Sequence, residues 1–244
     1  MSILAVDAGN SRIKWGLYEE GAWIARGALA TAHAGRLARE WARLERPRTV
    51  IAANVAGART AAALARAARV LRRRIRFVRS AARQCGVLSA YERPAELGAD
   101  RWAALIGAWH LYRGPCVVAN AGTALTVDAL SADGVFLGGL IVPGVELMRA
   151  ALARNTAGLR PRPGRYAYFP ACTADAIESG ALNALAGAVE RMRRHLREVG
   201  QSAPLTVLSG GAAEQLAPHL NGGVEVVDNL VLEGLVRIAS SPGR

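Results

Sequence analysis

The 244 residues are 52% hydrophobic, enough apolar material for a large α/β core or two smaller ones and too much for a disordered chain. No apolar run reaches the roughly 18 residues of a membrane-spanning helix, and Cys85, Cys116 and Cys172 are too scattered for a zinc site or a disulfide framework. A soluble, cytoplasmic protein is therefore expected. The formal charge of +12 suits anionic partners such as nucleotides and acidic metabolites.

In chain order, Ile3 to Val6 reads as a buried strand ending at Asp7 and a Gly9-Asn10 turn. Ile13, Trp15 and Leu17 then alternate with Arg12, Lys14 and Gly16, the period of two of a half-buried strand. A third strand fits Ala22 to Leu29, a helix Ala34 to Leu44, a strand Thr49 to Asn54, a helix Arg59 to Arg73 and a strand Ile75 to Val78. Pro94 to Tyr112 reads as one helix.

The pattern then restarts. Strands are expected at Cys116 to Ala119, through Leu125, Val127 and Ala129, and at Val135 to Val142. Helices follow at Val145 to Ala153, Thr173 to Val199, Ala213 to His219 and Asn229 to Ala239, with strands at Leu205 to Leu208 and Val224 to Val227. DAGNSRIKWGL from Asp7 lies over NAGTALTVDAL from Asn120: each is a strand, a glycine turn with a hydroxyl residue, and a returning strand. Two related halves, 1–115 and 116–244, are expected around a ligand cleft, with the last helix free to pack on the first half.

Neither a G-x-x-x-x-G-K-[ST] loop nor a strand-linked G-x-G-x-x-G is present. The two paired turns are the candidate phosphate loops, because such hairpins offer backbone N–H groups and glycine permits close approach. Asp7 at a strand end is suited to hold Mg²⁺ through water. Lys14, the single lysine among 31 basic residues, adds a point charge beside the first turn. Asp100 and Arg101, in YERPAELGADRWAAL, pair a carboxylate near a helix start with an anion-binding cation. Thr173 opens a helix and reads most simply as its N-cap. The glycine turn of LSGG at 208–211 suits closure over a flat ring. The arginines at 66, 69, 72, 73, 74, 76 and 79 read first as a solvated face. A nucleic-acid patch stands second to that reading, and the absence of an aromatic ladder weighs further against single-strand binding.

Taken in order, DAGNSRIK at 7–14, GADR at 98–101 with the upstream Tyr91, NAGTALTVD at 120–128, GGLIVPG at 138–144, CTADAIESG at 172–180 and LSGG resemble the type III pantothenate kinases of the acetate/sugar kinase, Hsp70 and actin superfamily. The resemblance implies a duplicated, ribonuclease-H-like α/β fold and ATP-dependent phosphorylation of pantothenate, the first step of coenzyme A biosynthesis, by a homodimer. It implies Asp100 as the proton acceptor, and Tyr91, Gly98, Ala99, Asp100, Arg101 and Thr173 as pantothenate-binding positions. Asp7, Ala8, Gly9, Asn10, Ser11, Arg12, Ile13 and Lys14 would form the first ATP loop, and Thr123 would contact ATP. Where the family commonly has an aspartate holding K⁺ or NH₄⁺, this sequence has Asn120, which offers a carbonyl oxygen without charge. Two alternatives stand beside this reading: a transcription accessory factor of the same family, and a superfamily kinase acting on another small hydroxylated substrate.

Overall fold

A computed structural model describes residues 1–156 and 162–241. The chain forms two compact units: Met1–Arg113 together with the segment from Asn229 onward, and Gly114–Asp228.

The first unit opens with β1 (Ser2–Ala8), β2 (Arg12–Glu19) and β3 (Ala22–Ala30). β1 is apolar along nearly its whole length because it is covered on both faces, whereas β3 alternates exposed and half-buried positions as an edge strand does. A 3₁₀ turn (Thr31–Arg36) and the short α1 (Leu37–Trp41) lead to β4 (Thr49–Asn54), α2 (Gly57–Val70) and β5 (Ile75–Phe77). The sheet order is β3-β2-β1-β4-β5, with β1 antiparallel to β2 and parallel to β4. One core lies between this sheet, α1 and α2, and holds Leu4, Val6, Ile13, Trp41 and Leu64 fully buried.

The helix expected over Ala34 to Leu44 is thus mostly a 3₁₀ turn. His33 leaves helical geometry at φ −101°, ψ 18°, and only five residues run as α-helix. The antiparallel pair β6 (Arg83–Gln84) and β7 (Val87–Ser89) follows. The single helix expected from Pro94 is divided. Pro94–Glu96 forms a 3₁₀ turn, Leu97 and Gly98 are extended at ψ 131° and 137°, and α3 (Ala99–Tyr112) starts afresh.

The second unit repeats the scheme. Its strands are β8 (Cys116–Ala121), β9 (Ala124–Leu130), β10 (Val135–Pro143), β11 (Leu205–Ser209) and β12 (Val224–Val226). They run in the order β12-β11-β8-β9-β10, with β8 antiparallel to β9 and parallel to β11. This is the order of the first unit read from its other edge. The helices are α4 (Val145–Asn155), α5 (Thr173–Glu198) and α6 (Ala213–Leu216). Val117, Val127, Leu182 and Val189 anchor a core between α5 and the sheet.

The last helix, α7 (Leu230–Ser240), completes the first unit. It meets α3 at two glycines. A Cβ on Gly234 would lie 1.8 Å from the Ala103 carbonyl oxygen, and one on Gly107 would lie 2.7 Å from that of Leu230. Five strands repeated in one arrangement with helices on their faces give a duplicated α/β fold.

Candidate active site

In the first unit, Asp7 stands at the end of β1, opposite Lys14 across the antiparallel register and Ala53 across the parallel one. The parallel strands β1 and β4 end here, the edge where open α/β sheets bind ligands. The turn after Asp7 is pinned at several points. Gly9 N donates to Arg12 O at 3.0 Å, Thr31 N donates to Ser11 O at 3.0 Å, and the Thr31 hydroxyl donates to Gly9 O at 2.6 Å. Asn10, Ser11 and Arg12 remain exposed on it, leaving a rigid loop with a solvent-facing tip.

Asp7 is half-buried as a residue, but its Oδ1 is fully shielded and accepts no hydrogen bond. Burial above all, and then the negative charge of Asp100, push its pKa up to about 7 against the pull of Lys14. That coupling places Asp7, Lys14 and Asp100 in one electrostatic neighbourhood. An orphaned buried carboxylate oxygen is the atom a hard cation would satisfy, so the residues present fit Mg²⁺. Among the described residues no group of three or more His, Cys, Asp or Glu could hold a metal. A single-carboxylate site suits an ion that keeps its waters and borrows phosphate oxygens.

Asp100 lies in the first turn of α3, where the helix dipole favours a carboxylate. The Arg101 backbone N–H donates to its Oδ1 at 2.8 Å. A Cβ on Gly98 would come within 2.6 Å of the same oxygen, so glycine leaves room for the carboxylate to fold back over the helix start. Arg101 is buried, with its Nη2 3.4 Å from the Tyr91 hydroxyl and its guanidinium 6.0 Å from the Tyr91 ring centroid. Beneath this loop the buried Ser80 hydroxyl donates to Leu97 O at 2.7 Å.

In the second unit, Asn120 lies on β8, in register with Thr126 of β9 and Ser209 of β11. Gly122 N donates to Ala124 O at 3.0 Å and closes the turn that exposes Thr123. Gly144 N donates to Thr123 O at 2.9 Å. The GGLIVPG and LSGG glycines both press on this turn. A Cβ on Gly144 would be 2.4 Å from Gly122 O, and one on Gly210, at φ +104°, 2.3 Å from Ala121 O.

Thr173 is the first residue of α5. It is not the N-cap expected of it: the cap position falls one residue earlier, on Cys172, and no side-chain capping bond forms. Thr173 lines an apolar cavity of about 390 Å³ with Met148, Leu152, Ala176 and Ile177. Nearby, Asp175 accepts the Arg165 backbone N–H at 2.8 Å, which lowers its pKa.

The first unit thus holds residues 7–14, Tyr91 and Gly98 to Arg101, and the second holds Asn120, Thr123 and Thr173. Sequence reasoning passed over Thr31 and Ser80, which fix the turn and the Asp100 loop. A lone hydroxyl residue after a strand carries no pattern, and only the long-range fold gives it a partner.

The family model for type III pantothenate kinase matches residues 3–195. A type III pantothenate kinase from Aromatoleum aromaticum is 52% identical over 237 residues, covering 97% of this chain and 97% of that protein. One from Nitrosospira multiformis is 46% identical, covering 97% and 90%. Among solved structures, a Campylobacter jejuni protein described as a Baf family transcriptional activator superposes with a TM-score of 0.61 over 96% of each chain. At 18% identity that likeness bears on the fold alone.

Proposed function

We propose roles for these residues on the premise that the chain belongs to the type III pantothenate kinase family and phosphorylates pantothenate, with ATP as donor, in coenzyme A biosynthesis. The turn at Asp7 to Lys14 cradles the ATP phosphates through its backbone N–H groups, and Thr123 of the second unit also contacts ATP. Asp7 would hold Mg²⁺ through water, and the ion would supply neutralisation of the phosphate charge. Asn120 brings an amide where a monovalent cation would want an anion, so K⁺ or NH₄⁺ is not assigned a firm place.

Asp100 accepts the proton of the pantothenate primary hydroxyl as the hydroxyl oxygen attacks the γ-phosphorus in line and the bond to the departing ADP breaks, giving 4'-phosphopantothenate. Arg101 orients the substrate carboxylate, while Tyr91, Gly98, Ala99 and Thr173 line the acceptor site. The observation that carries this reading is the Asp100 carboxylate itself. It is fixed at a helix start by the Arg101 N–H and by the missing Gly98 side chain, and it is close enough to raise the pKa of Asp7.

The enzyme acts as a cytoplasmic homodimer in this reading. Support for a second copy comes from exposed apolar residues of the second unit, among them Ile141, Leu147, Tyr168 and Phe169, the last two at 85% and 94% exposure. No helix among the described residues is long and apolar enough to cross a membrane.

The test is turnover of ATP against pantothenate, simple sugars and acetate, with the wild type and Asp100→Asn. Pantothenate alone is expected to be phosphorylated. The variant is expected to lose about 10²–10⁴-fold in kcat while keeping its ATP affinity. Equal rates on a sugar would reassign the substrate, and near-normal turnover by the variant would remove Asp100 from its role.

A further inference from the structure

The net charge is not spread over the molecule. Between Glu45 and Glu92 the sequence contains no acidic residue and 11 arginines: 46, 48, 59, 66, 69, 72, 73, 74, 76, 79 and 83. The other residues nearly cancel, with 20 basic against 19 acidic, so this one segment carries almost the whole +12. An arginine-for-lysine habit of the sequence explains why the cations are arginines. It does not explain why the anions are missing.

All 11 arginines are exposed, and among the described residues none forms an ion pair. The fold gathers five of them at one corner. Arg73 Nε donates to Pro47 O at 2.8 Å, which lays the Arg46–Arg48 loop against the Arg72–Arg74 turn. This corner is the N-terminal end of β4 and β5, since Val50 pairs with Ile75 and Arg48 N donates to Ser2 O. Asp7, Gly98 and Asp100 lie toward the other end of the sheet, where Val55 N donates to Ala8 O. The six residues of β4 put about 20 Å between the two ends. A cluster so placed is not needed to hold ATP or pantothenate.

We propose that this corner is a docking surface for the phosphate backbone of double-stranded nucleic acid, bound without sequence preference. Phosphate contacts need cations and little else, and the corner offers just that. A protein interface would want an aromatic or apolar centre, and a lipid surface would want apolar anchors among the charges. Among the described residues, the exposed large apolar side chains near this corner are Met1, next to Ser2, and Val70, at 54% and 44% exposure, with Phe77 at 36% two residues beyond Ile75, against five arginines. Without stacked aromatics a single strand is disfavoured. A second copy of this chain would bring the same charge and be repelled.

The probe is a fluorescent DNA duplex of about 20 base pairs, in two unrelated sequences, titrated with the whole protein at several salt concentrations. Both sequences are expected to bind alike near 50 mM salt, with log affinity falling against log salt at a slope of about −4 to −5, the value for five neutralised phosphates. Arg72→Ala/Arg74→Ala and, separately, Arg46→Ala/Arg48→Ala are each expected to reduce that slope by about 2 and to leave pantothenate turnover unchanged. Retained turnover also reports that each variant is folded. No binding at low salt would overturn the proposal, as would unchanged slopes in both variants. Tighter binding to phosphatidylserine vesicles or to polyglutamate than to the duplex would assign the surface to another partner and overturn it equally.

Discussion

The turn after β1 and the turn after β8 are two versions of one device. Each follows a buried strand, closes with a glycine N–H, and sits at the same place in a sheet of the same order. They differ in what presses on them and in what precedes them. The first turn is held from outside by the side chain and backbone of Thr31, and the second is crowded by two glycines whose neighbours are backbone oxygens. The first begins at a carboxylate with an orphaned oxygen, the second at a neutral amide. A duplicated scaffold has kept its backbone while its two ends took different electrostatic duties.

The contrast is sharpest at the glycines. Gly210→Ala places a methyl 2.3 Å from Ala121 O in a left-handed backbone, and is expected to cost about 1–3 kcal/mol. Gly9→Ala meets only Arg12 O at 3.3 Å, without a positive φ, and is expected to cost under about 1 kcal/mol. Urea unfolding of both variants measures the pair. Equal losses would mean that the two turns are equally crowded.

The amide end can be converted to the acid end. Asn120→Asp is expected to create or steepen activation by K⁺ or NH₄⁺, because a weakly held cation gains an anionic oxygen. Initial rates in Na⁺, K⁺ and NH₄⁺ buffers at matched ionic strength test this. Strong K⁺ activation of the unaltered chain would show that neutral oxygens suffice.

A smaller effect separates the two ends in stability. The folded Asp7 pKa of about 7 lies above the ordinary carboxylate value of 3.8, so between these pH values the folded chain holds a proton that the unfolded chain has lost. Its contribution is present in full below about pH 4 and disappears as pH rises through 7. In metal-free, nucleotide-free buffer, Asp7→Asn is expected to flatten that decline, whereas Asn120→Ala leaves it intact. A decline of equal slope in Asp7→Asn and wild type would place the proton elsewhere.

These comparisons also show where sequence suffices. Alternation in β2 and the apolar run of β1 are local signals, and so are the glycine turns, which is why the duplication is legible in the sequence alone. The start of α3 was not. Apolar spacing runs unbroken from Pro94 to Tyr112, and the break depends on Leu97 being buried and held by Ser80, 17 residues earlier. β6 and β7, two and three residues long, are too short to show a period. Asp100 was found by its motif, but its influence on Asp7 arises from tertiary placement.

The return of α7 to the first unit has a consequence for the order in which the molecule is made. Gly114–Asp228 leaves the ribosome as one uninterrupted stretch and can fold as it emerges, whereas the unit begun at Met1 waits for the residues after Asn229 to close its α3 face. The helix that carries Asp100 is therefore buttressed last. A nascent chain halted before Leu230 would hold a finished second unit and an unfinished first one.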